Sequence, residues 1–412
     1  MRGTRSATRS RSAVWVCKGA DLLRDVRPTL DEEERVSEAT DAIIAQVREM
    51  LPDLARDAAA VEINGAVDAR VVERLGEIGF FRMLRPQRYG GFEADPVSFF
   101  RAVRLLSRSC PATGWIASVL GGHEWHLSLF DDRALAEVWG ADPHALLASS
   151  YTPDGQLTPT DGGYRLSGRW RTSTGIHHAS WAVLGALLLD GNGEPVDFVG
   201  ALVPAADYRI EERWDPTGLR AVAADGVVVE NAFVPSYRTF GARERMLQED
   251  PAWAANVAPL HRMPYSVIHT HAVAVPVIGA AEGAYDALLA DHPAAATVPS
   301  VARAATDLHV AWRQLTGHLE RLLERAERNE PPDTESAIRA RRDQSLAAER
   351  AVRAIGTFLD AAGPEAWERR HPLQRAWRDA QVAATNAANS VDQTLSIFGR
   401  WAYGLDVGDR WW

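Results

Sequence analysis

The sequence predicts a mostly helical α+β fold. It places a helical region over 31–145, a compact antiparallel β region over 146–245 and a helical bundle over 246–412. Three observations predict it. Apolar residues recur at helical spacing up to about His144, the period falls to two between Leu146 and Phe240, and a helical stripe returns from Ile268 onward.

The first 30 residues are set apart from the fold. Arg2, Arg5, Arg9 and Arg11 sit among Ser, Thr and Ala without the apolar core of a secretory signal, so the stretch reads as a tail or an over-called start. A transit peptide is the compositional alternative. Val71, Leu75 and Ile78 then mark a helix that stops at Gly79. Pro86 and Tyr89-Gly90-Gly91-Phe92 make a loop, and a second helix runs from Val97 through Val103 and Leu106. A third starts at Cys110-Pro111 and passes Trp115, Ile116 and Val119 to His126.

In the middle region, Tyr164 to Trp170 alternates after the turn Asp161-Gly162-Gly163. Trp181 to Leu189 reads as a buried strand closed by Asp190-Gly191-Asn192-Gly193. Phe198–Val203, Tyr208–Glu212 and Gly226–Phe233 supply further strands of a small barrel or sandwich. Beyond it, Ala305, Leu308, Trp312, Leu315, Leu319 and Leu322 form the core stripe of a long bundle helix. Another helix spans Thr334 to Ala362 and ends at Gly363-Pro364, and a last one runs from Pro372 to about Asp392.

Composition removes several function classes. The 45 Lys+Arg against 55 Asp+Glu give a net charge of −10, which opposes a nucleic-acid-coating surface. No uninterrupted apolar run reaches the ~18–20 residues of a membrane span. Cys17 and Cys110 make neither a disulfide framework nor a thiolate metal site, and a reducing cytoplasm is the default compartment. Dinucleotide and phosphate-loop fingerprints are missing. His123 and His126 stand three apart rather than the four of a zinc-binding HExxH, and His177-His178 and His269/His271 lack metal-ligand partners at recognised spacing, so no metal is expected.

Four polar clusters remain as candidates. In Gly121-Gly122-His123-Glu124-Trp125-His126, a histidine can donate to a phenolate or act as a base; the alternative is an imidazole satisfied within a core. Ser149-Ser150-Tyr151 offers three hydroxyls to a polar ligand, or is ordinary strand. Trp170 to Trp181, with Ser173, Thr174 and Gly175 at its centre, packs polar groups between two strands more densely than a plain loop requires. Lastly, Trp377-Arg378-Asp379-Ala380-Gln381 precedes Asn386 and Asn389, and Trp377, Gln381 and Ala384 share a helix face. Its bland reading is a solvated Arg378–Asp379 pair beside a surface amide. Trp125, Trp253, Tyr265 and Trp401 either line an apolar pocket or are core.

Several ordered stretches carry a family resemblance. They are Cys110-Pro111-Ala112-Thr113-Gly114-Trp115, Trp125-His126-Leu127, Ser149-Ser150-Tyr151, Ser167-Gly168-Arg169-Trp170, His178 through Gly185, Gly218-Leu219-Arg220, Val227 through Pro235, and Leu373-Gln374-Arg375 with Trp377-Arg378-Asp379. From about residue 35 to 400 the chain resembles the group D flavin-dependent monooxygenases, which use the acyl-CoA dehydrogenase fold, with the secosteroid-phenol hydroxylases as the nearest branch. The resemblance implies an N-terminal helical domain, a central β domain and a C-terminal four-helix bundle in a homotetramer. It also implies reduced FMN or FAD from a separate flavin reductase, molecular oxygen as co-substrate, and oxygen transfer from a flavin C4a-hydroperoxide in a dry pocket.

By resemblance, Ser173 and Thr174 lie near flavin N5, and Trp170 and Gly175 belong to the same wall. His123 faces the substrate phenol, Ser150 contacts substrate or flavin, and Arg303 and Trp312 serve flavin phosphate and subunit contacts. Trp125 and Tyr265 join the substrate-binding set. Where the relatives carry two histidines after the Trp-Arg-Asp-Ala motif, this chain has Gln381 and Asn386. An amide bonds a peroxide but supplies no proton near neutral pH. The expected function is therefore oxygenation of an aromatic or polyketide-like small molecule, in natural-product biosynthesis or in aromatic or steroid catabolism. N-oxygenation of an amine or amino sugar, and a flavin-free role, are the alternatives. Acyl-CoA dehydrogenation is disfavoured, because no glutamate base occurs in Phe398 to Leu405.

Overall fold

A computed structural model describes residues 38–241, 258–330 and 333–407. The arginine-bearing N-terminal stretch and Trp253 lie outside them. The chain opens with α1 (Glu38–Asn64), whose Ile43, Ile44, Val47, Leu54 and Ala58 form one buried stripe. Next comes α2 (Ala69–Glu77), started by Asp68 accepting from Arg70 N at 2.9 Å and followed by Gly79 at φ +87°. Then follow α3 (Pro96–Ser109), capped by Asp95, α4 (Pro111–Leu127) and the short α5 (Asp132–Leu135).

Seven strands form one sheet in the order β5-β6-β2-β1-β3-β4-β7. They are β1 (Leu147–Thr160), β2 (Gly163–Trp170), β3 (Trp181–Leu189), β4 (Pro195–Pro204), β5 (Arg209–Glu211), β6 (Gly226–Pro235) and β7 (Thr239–Gly241). The sheet is mixed rather than wholly antiparallel, because β1 and β3 run parallel, with Leu147 opposite Trp181. The β1–β2 hairpin turns at residues 161–162, so the next strand can join the free edge of β1 only after a crossover. That crossover is 171–180, the polar stretch singled out in the sequence. Alternation sends Ala148, Leu157, Leu166 and Trp170 to one core and Leu147, Val183 and Leu202 to another, shared with Leu127 and Phe130.

The C-terminal half holds α6 (Tyr265–Asp291), α7 (Pro299–Glu327), α8 (Thr334–Ala362), α9 (Pro372–Ala384) and α10 (Val391–Ala402). The helix expected to run from Pro372 to Asp392 breaks after Ala384, where Asn386 caps a new turn by accepting from Ala388 N at 2.9 Å. Apolar on every side, α6 packs against α3, α4, α7, α8 and α9. It is the one described helix long and apolar enough to cross a bilayer, and 72% of that window is buried within the fold.

Candidate active site

The second half of α4, the start of β1 and the first turns of α6 meet in a buried cluster of imidazoles and phenols. His123 and His126, three residues apart, share a face of α4 with ring centroids 5.4 Å apart. Tyr151 of β1 lies parallel to His123 at 6.3 Å and edge-on to His126 at 6.1 Å. Tyr265 and His269, one turn apart on α6, stack at 5.7 Å. They close the cluster against His126 at 4.8 Å and Tyr151 at 5.2 Å respectively. Ser118 ties the two helices together by donating to Ala272 O at 2.7 Å.

Hydrogen bonding fixes one protonation state here. A carbonyl only accepts, so the contact of His123 Nδ1 with Val119 O makes Nδ1 the donor and leaves Nε2 an acceptor. That Nε2 is buried with no partner, as are both ring nitrogens of His126, while the buried Tyr151 hydroxyl lies beside that of Tyr265. Burial pushes His123 down to about 4, holds His126 well below the usual imidazole range and brings His269 to about 3. All three are therefore neutral at physiological pH. Burial also raises Tyr151 to about 12, which keeps it a phenol. Unmatched buried polar atoms are costly unless a ligand or water meets them. Three of them on adjacent imidazoles mark a site built around a polar molecule.

The β2–β3 crossover is fastened through Asp225. Ser173 N donates to Asp225 O at 2.8 Å, His177 Nε2 lies 2.8 Å from Asp225 Oδ2, and Asp225 Oδ1 accepts from Arg213 N and Trp214 N. Ser173 Oγ reaches Ser149 O on β1 at 3.1 Å. Gly175 holds φ +74°, and a Cβ there would stand 2.8 Å from Leu120 of α4. The crossover thus lies directly against the helix that carries His123, and an added side chain would push it away.

The structure gathers only part of the expected site. His123, Trp125 and Tyr265 belong to the cluster, although Trp125 spends its indole N–H on Leu260 O at 2.8 Å and serves as a wall. His126, Tyr151 and His269 complete it. For His126 and Tyr151 the sequence signal lies in the same clusters as His123 and Ser150, whereas His269 stands in an apolar helix with nothing local to mark it. Ser150 departs from expectation, since strand alternation sends it to the face opposite Tyr151, beside Thr152 at 3.4 Å. Trp170 also departs, being fully buried inside the sheet core with its N–H on Gly185 O at 2.8 Å.

Arg303 is exposed on α7, on the wall of a surface groove of about 310 Å³ between α7 and α8. Trp312 lies 4.5 Å beneath the Arg104 guanidinium, near its ion pair with Glu282. Gln381 is half-buried on α9, and the Asn386 side-chain oxygen is spent on its own turn. Trp401 on α10 sits 5.3 Å from the guanidinium of Arg339 on α8. None of these five shares a ring contact with the cluster.

Arg378 and Asp379 are not a solvated pair. Both are buried. Asp379 accepts from Leu219 N at 2.6 Å, while Arg378 binds Glu62 of α1, Thr217 O, Arg369 O and Gln374. A Cβ on Gly218 would overlap the carbonyl of Arg378, so the 215–220 loop rests directly on α9. No group of three or more metal-ligating side chains occurs among the described residues.

Comparison with known proteins places this geometry. The acyl-CoA dehydrogenase N-terminal domain family matches residues 37–129, and the acyl-CoA dehydrogenase C-terminal domain family matches 271–391. The flavin-dependent monooxygenase oxygenase subunit HsaA of Rhodococcus jostii (strain RHA1) is 38% identical over 376 residues, covering 87% of this chain and 98% of the relative. A crystal structure of the HsaA monooxygenase from M. tuberculosis superposes with a TM-score of 0.85 at 36% identity, over 89% of this chain and 98% of that one. XiaF from Streptomyces sp., solved with FADH2 and glycerol, has a TM-score of 0.83 at 29% identity, over 90% and 97% of the two chains. The chain belongs to the reduced-flavin-dependent monooxygenases built on the acyl-CoA dehydrogenase fold, as an oxygenase subunit.

Proposed function

We propose that this oxygenase subunit, supplied with reduced FMN or FAD by a separate reductase and assembled as a homotetramer, oxygenates an aromatic or polyketide-like small molecule at the His123–His126–Tyr151–Tyr265–His269 cluster. The observation that carries the reading is the set of buried, partnerless polar atoms on adjacent aromatic rings, which suits a flat substrate bearing a hydroxyl. Reduced flavin, when bound, supplies the activation of dioxygen. The chain's own residues do the rest. The Nε2 of neutral His123 accepts the substrate O–H, which raises electron density on the ring to be oxygenated. Tyr151 and His126 orient that ring, while Trp125, Phe240 and Tyr265 exclude water.

The anchored crossover, with Ser173, Thr174 and Gly175, is the candidate edge for the flavin ring system. Its hydroxyls and fastened backbone beside α4 fit a planar heterocycle. Gln381 and Asn386 do not ionise near neutral pH, and the neutral imidazoles of His126 and His269 offer hydrogen-bond acceptors to the substrate rather than an acid.

Anaerobic addition of reduced FMN or FADH2, then oxygen and a panel of phenols, should give product heavier by one oxygen atom. His123→Ala should lower product by about 10²-fold or more while peroxide release persists. Flavin reoxidation at the rate of free flavin with no product from any phenol would refute the assignment.

A further inference from the structure

Arg341 is a buried bundle cation with no carboxylate partner among the described residues. Arg341, on α8, is 7% exposed, and its guanidinium makes one hydrogen bond among the described residues, from Nη1 to the side-chain oxygen of Gln344. A guanidinium presents five N–H donors, of which an amide oxygen takes one. The nearest carboxylate in sequence, Asp343, is already bound to His318 at 2.8 Å and Arg342 at 2.7 Å. Burial lowers Arg341 to about 10, which leaves it charged at neutral pH. Buried charges are otherwise paired, because an unpaired one is expensive.

A polar chain ties this residue to the site. Gln344, one turn after Arg341, donates to Asn389 at 2.7 Å, and Asn389 donates to Val273 O of α6 at 3.1 Å. His269 lies one turn before Val273 on α6. Successive helices of a bundle joined by short connections run antiparallel, so α6 and α8, the first and third, run parallel and pack together. One turn back along both helices from the Gln344–Asn389–Val273 bridge brings Arg341 level with His269. Consistent with this, the charge of Arg341 helps depress both His269 and His271, after burial and a neighbouring imidazole.

We propose that Arg341 holds an anionic group of the substrate, so that the molecule oxygenated at the neighbouring imidazole–phenol cluster is an aromatic acid. This rests on the reading of that cluster as the oxygenation site. A carboxylate takes two donors of the guanidinium fork, while the ring of the same molecule reaches His269, Tyr151 and His123. The same cation repels an ammonium group, which sets amines and amino sugars against the site.

Calorimetric titration of the full chain without flavin tests this. The probes are 4-hydroxyphenyl alkanoates with one to six methylenes and their primary amides. At the best chain length the acid should bind roughly 30-fold or more tightly than its amide, and Arg341→Gln should erase the difference. Arg341→Lys, which keeps the charge, should retain part of it, and far-UV circular dichroism with melting temperature verifies that both variants fold. The proposal is overturned if acids and amides bind alike, if no acid binds, or if Arg341→Gln loses reduced-flavin affinity while the acid preference stands. A chain that prefers acids yet produces no oxygenated product would sink the monooxygenase reading of the cluster and leave Arg341 as an anion site.

Discussion

Gly175 concentrates in one residue what the crossover asks of the backbone. Its φ of +74° costs a residue with a Cβ roughly 1–2 kcal/mol, and the added carbon would also meet Leu120 at 2.8 Å. Gly175→Ala should therefore lower unfolding free energy by about 2 kcal/mol in denaturant titrations and weaken reduced-flavin binding about tenfold. Leu120→Ala in the same chain relieves the overlap and leaves the dihedral cost, so rescue should be partial. Unchanged flavin affinity in Gly175→Ala would remove this loop from the cofactor site. Glycine at such a turn is legible from sequence, because no other residue suits it. Trp170, five residues earlier, was not. Its indole fills room left where Gly155 and Gly168 lack side chains, and strand register creates that room. Ser150 and Tyr151 teach the same lesson, since a strand sends neighbours to opposite faces and only the fold says which face holds the site.

Among the elements, several strands and the helices α7 and α8 are readable from period alone, while α1 and the junctions are not. Trp181–Leu189 is a strand and Thr334–Ala362 a helix, as their patterns predict. Arg378 and Asp379 looked like surface charges because nothing in α9 itself requires their burial. Burial comes from the 215–220 loop and α1 arriving from distant sequence. Asp379 shows the energetic consequence, as desolvation raises its carboxyl to about 6 despite the Leu219 N–H. A carboxyl raised in the folded state is protonated there while the unfolded chain is ionised, so it makes stability fall as pH rises from about 4 to about 6. The whole effect is about 3 kcal/mol. Asp379→Asn keeps an acceptor for Leu219 N and removes that slope. Measured against the parent chain, its stability should gain progressively from pH 4 to 6 and then hold constant. An identical pH dependence in both proteins would contradict the buried carboxyl. Asp379→Ala, which orphans the Leu219 N–H, should be about 1–3 kcal/mol less stable than Asp379→Asn at every pH.

Across the whole molecule the buried histidines outweigh that carboxyl, and with the opposite sign. His123 and His261 are held near 4, His269 and His271 near 3, and His126 lower than the ordinary range, in each case chiefly by burial. Each stays neutral in the folded chain while its unfolded counterpart takes a proton below about 6.5. Stability is thus complete above pH 6.5 and lost as pH falls toward the folded values. At pH 5 each imidazole held near 3 or 4 has given up about 2 kcal/mol, and the four together about 8 kcal/mol, against roughly 3–4 kcal/mol regained from the raised carboxyls of Asp379 and Glu124. Domains of ordinary stability have only about 5–15 kcal/mol in total. Asp68 and Asp343, held near 2 by their hydrogen-bonding partners, add nothing until the pH is lower still. The protein should therefore lose stability steeply between about pH 6 and 4.5, with the slope of stability against pH reporting a net uptake of roughly two to three protons. His261 contacts Leu84 O at 3.0 Å and lies outside the imidazole–phenol cluster, so His261→Gln should reduce the uptake by one and leave oxygenation at neutral pH intact. Flat stability from pH 7.5 to 5 would mean that these rings are open to water. A cluster of wet imidazoles would neither stay neutral nor shelter an oxygen-transfer reaction, so the acid profile tests the dryness on which the chemistry depends.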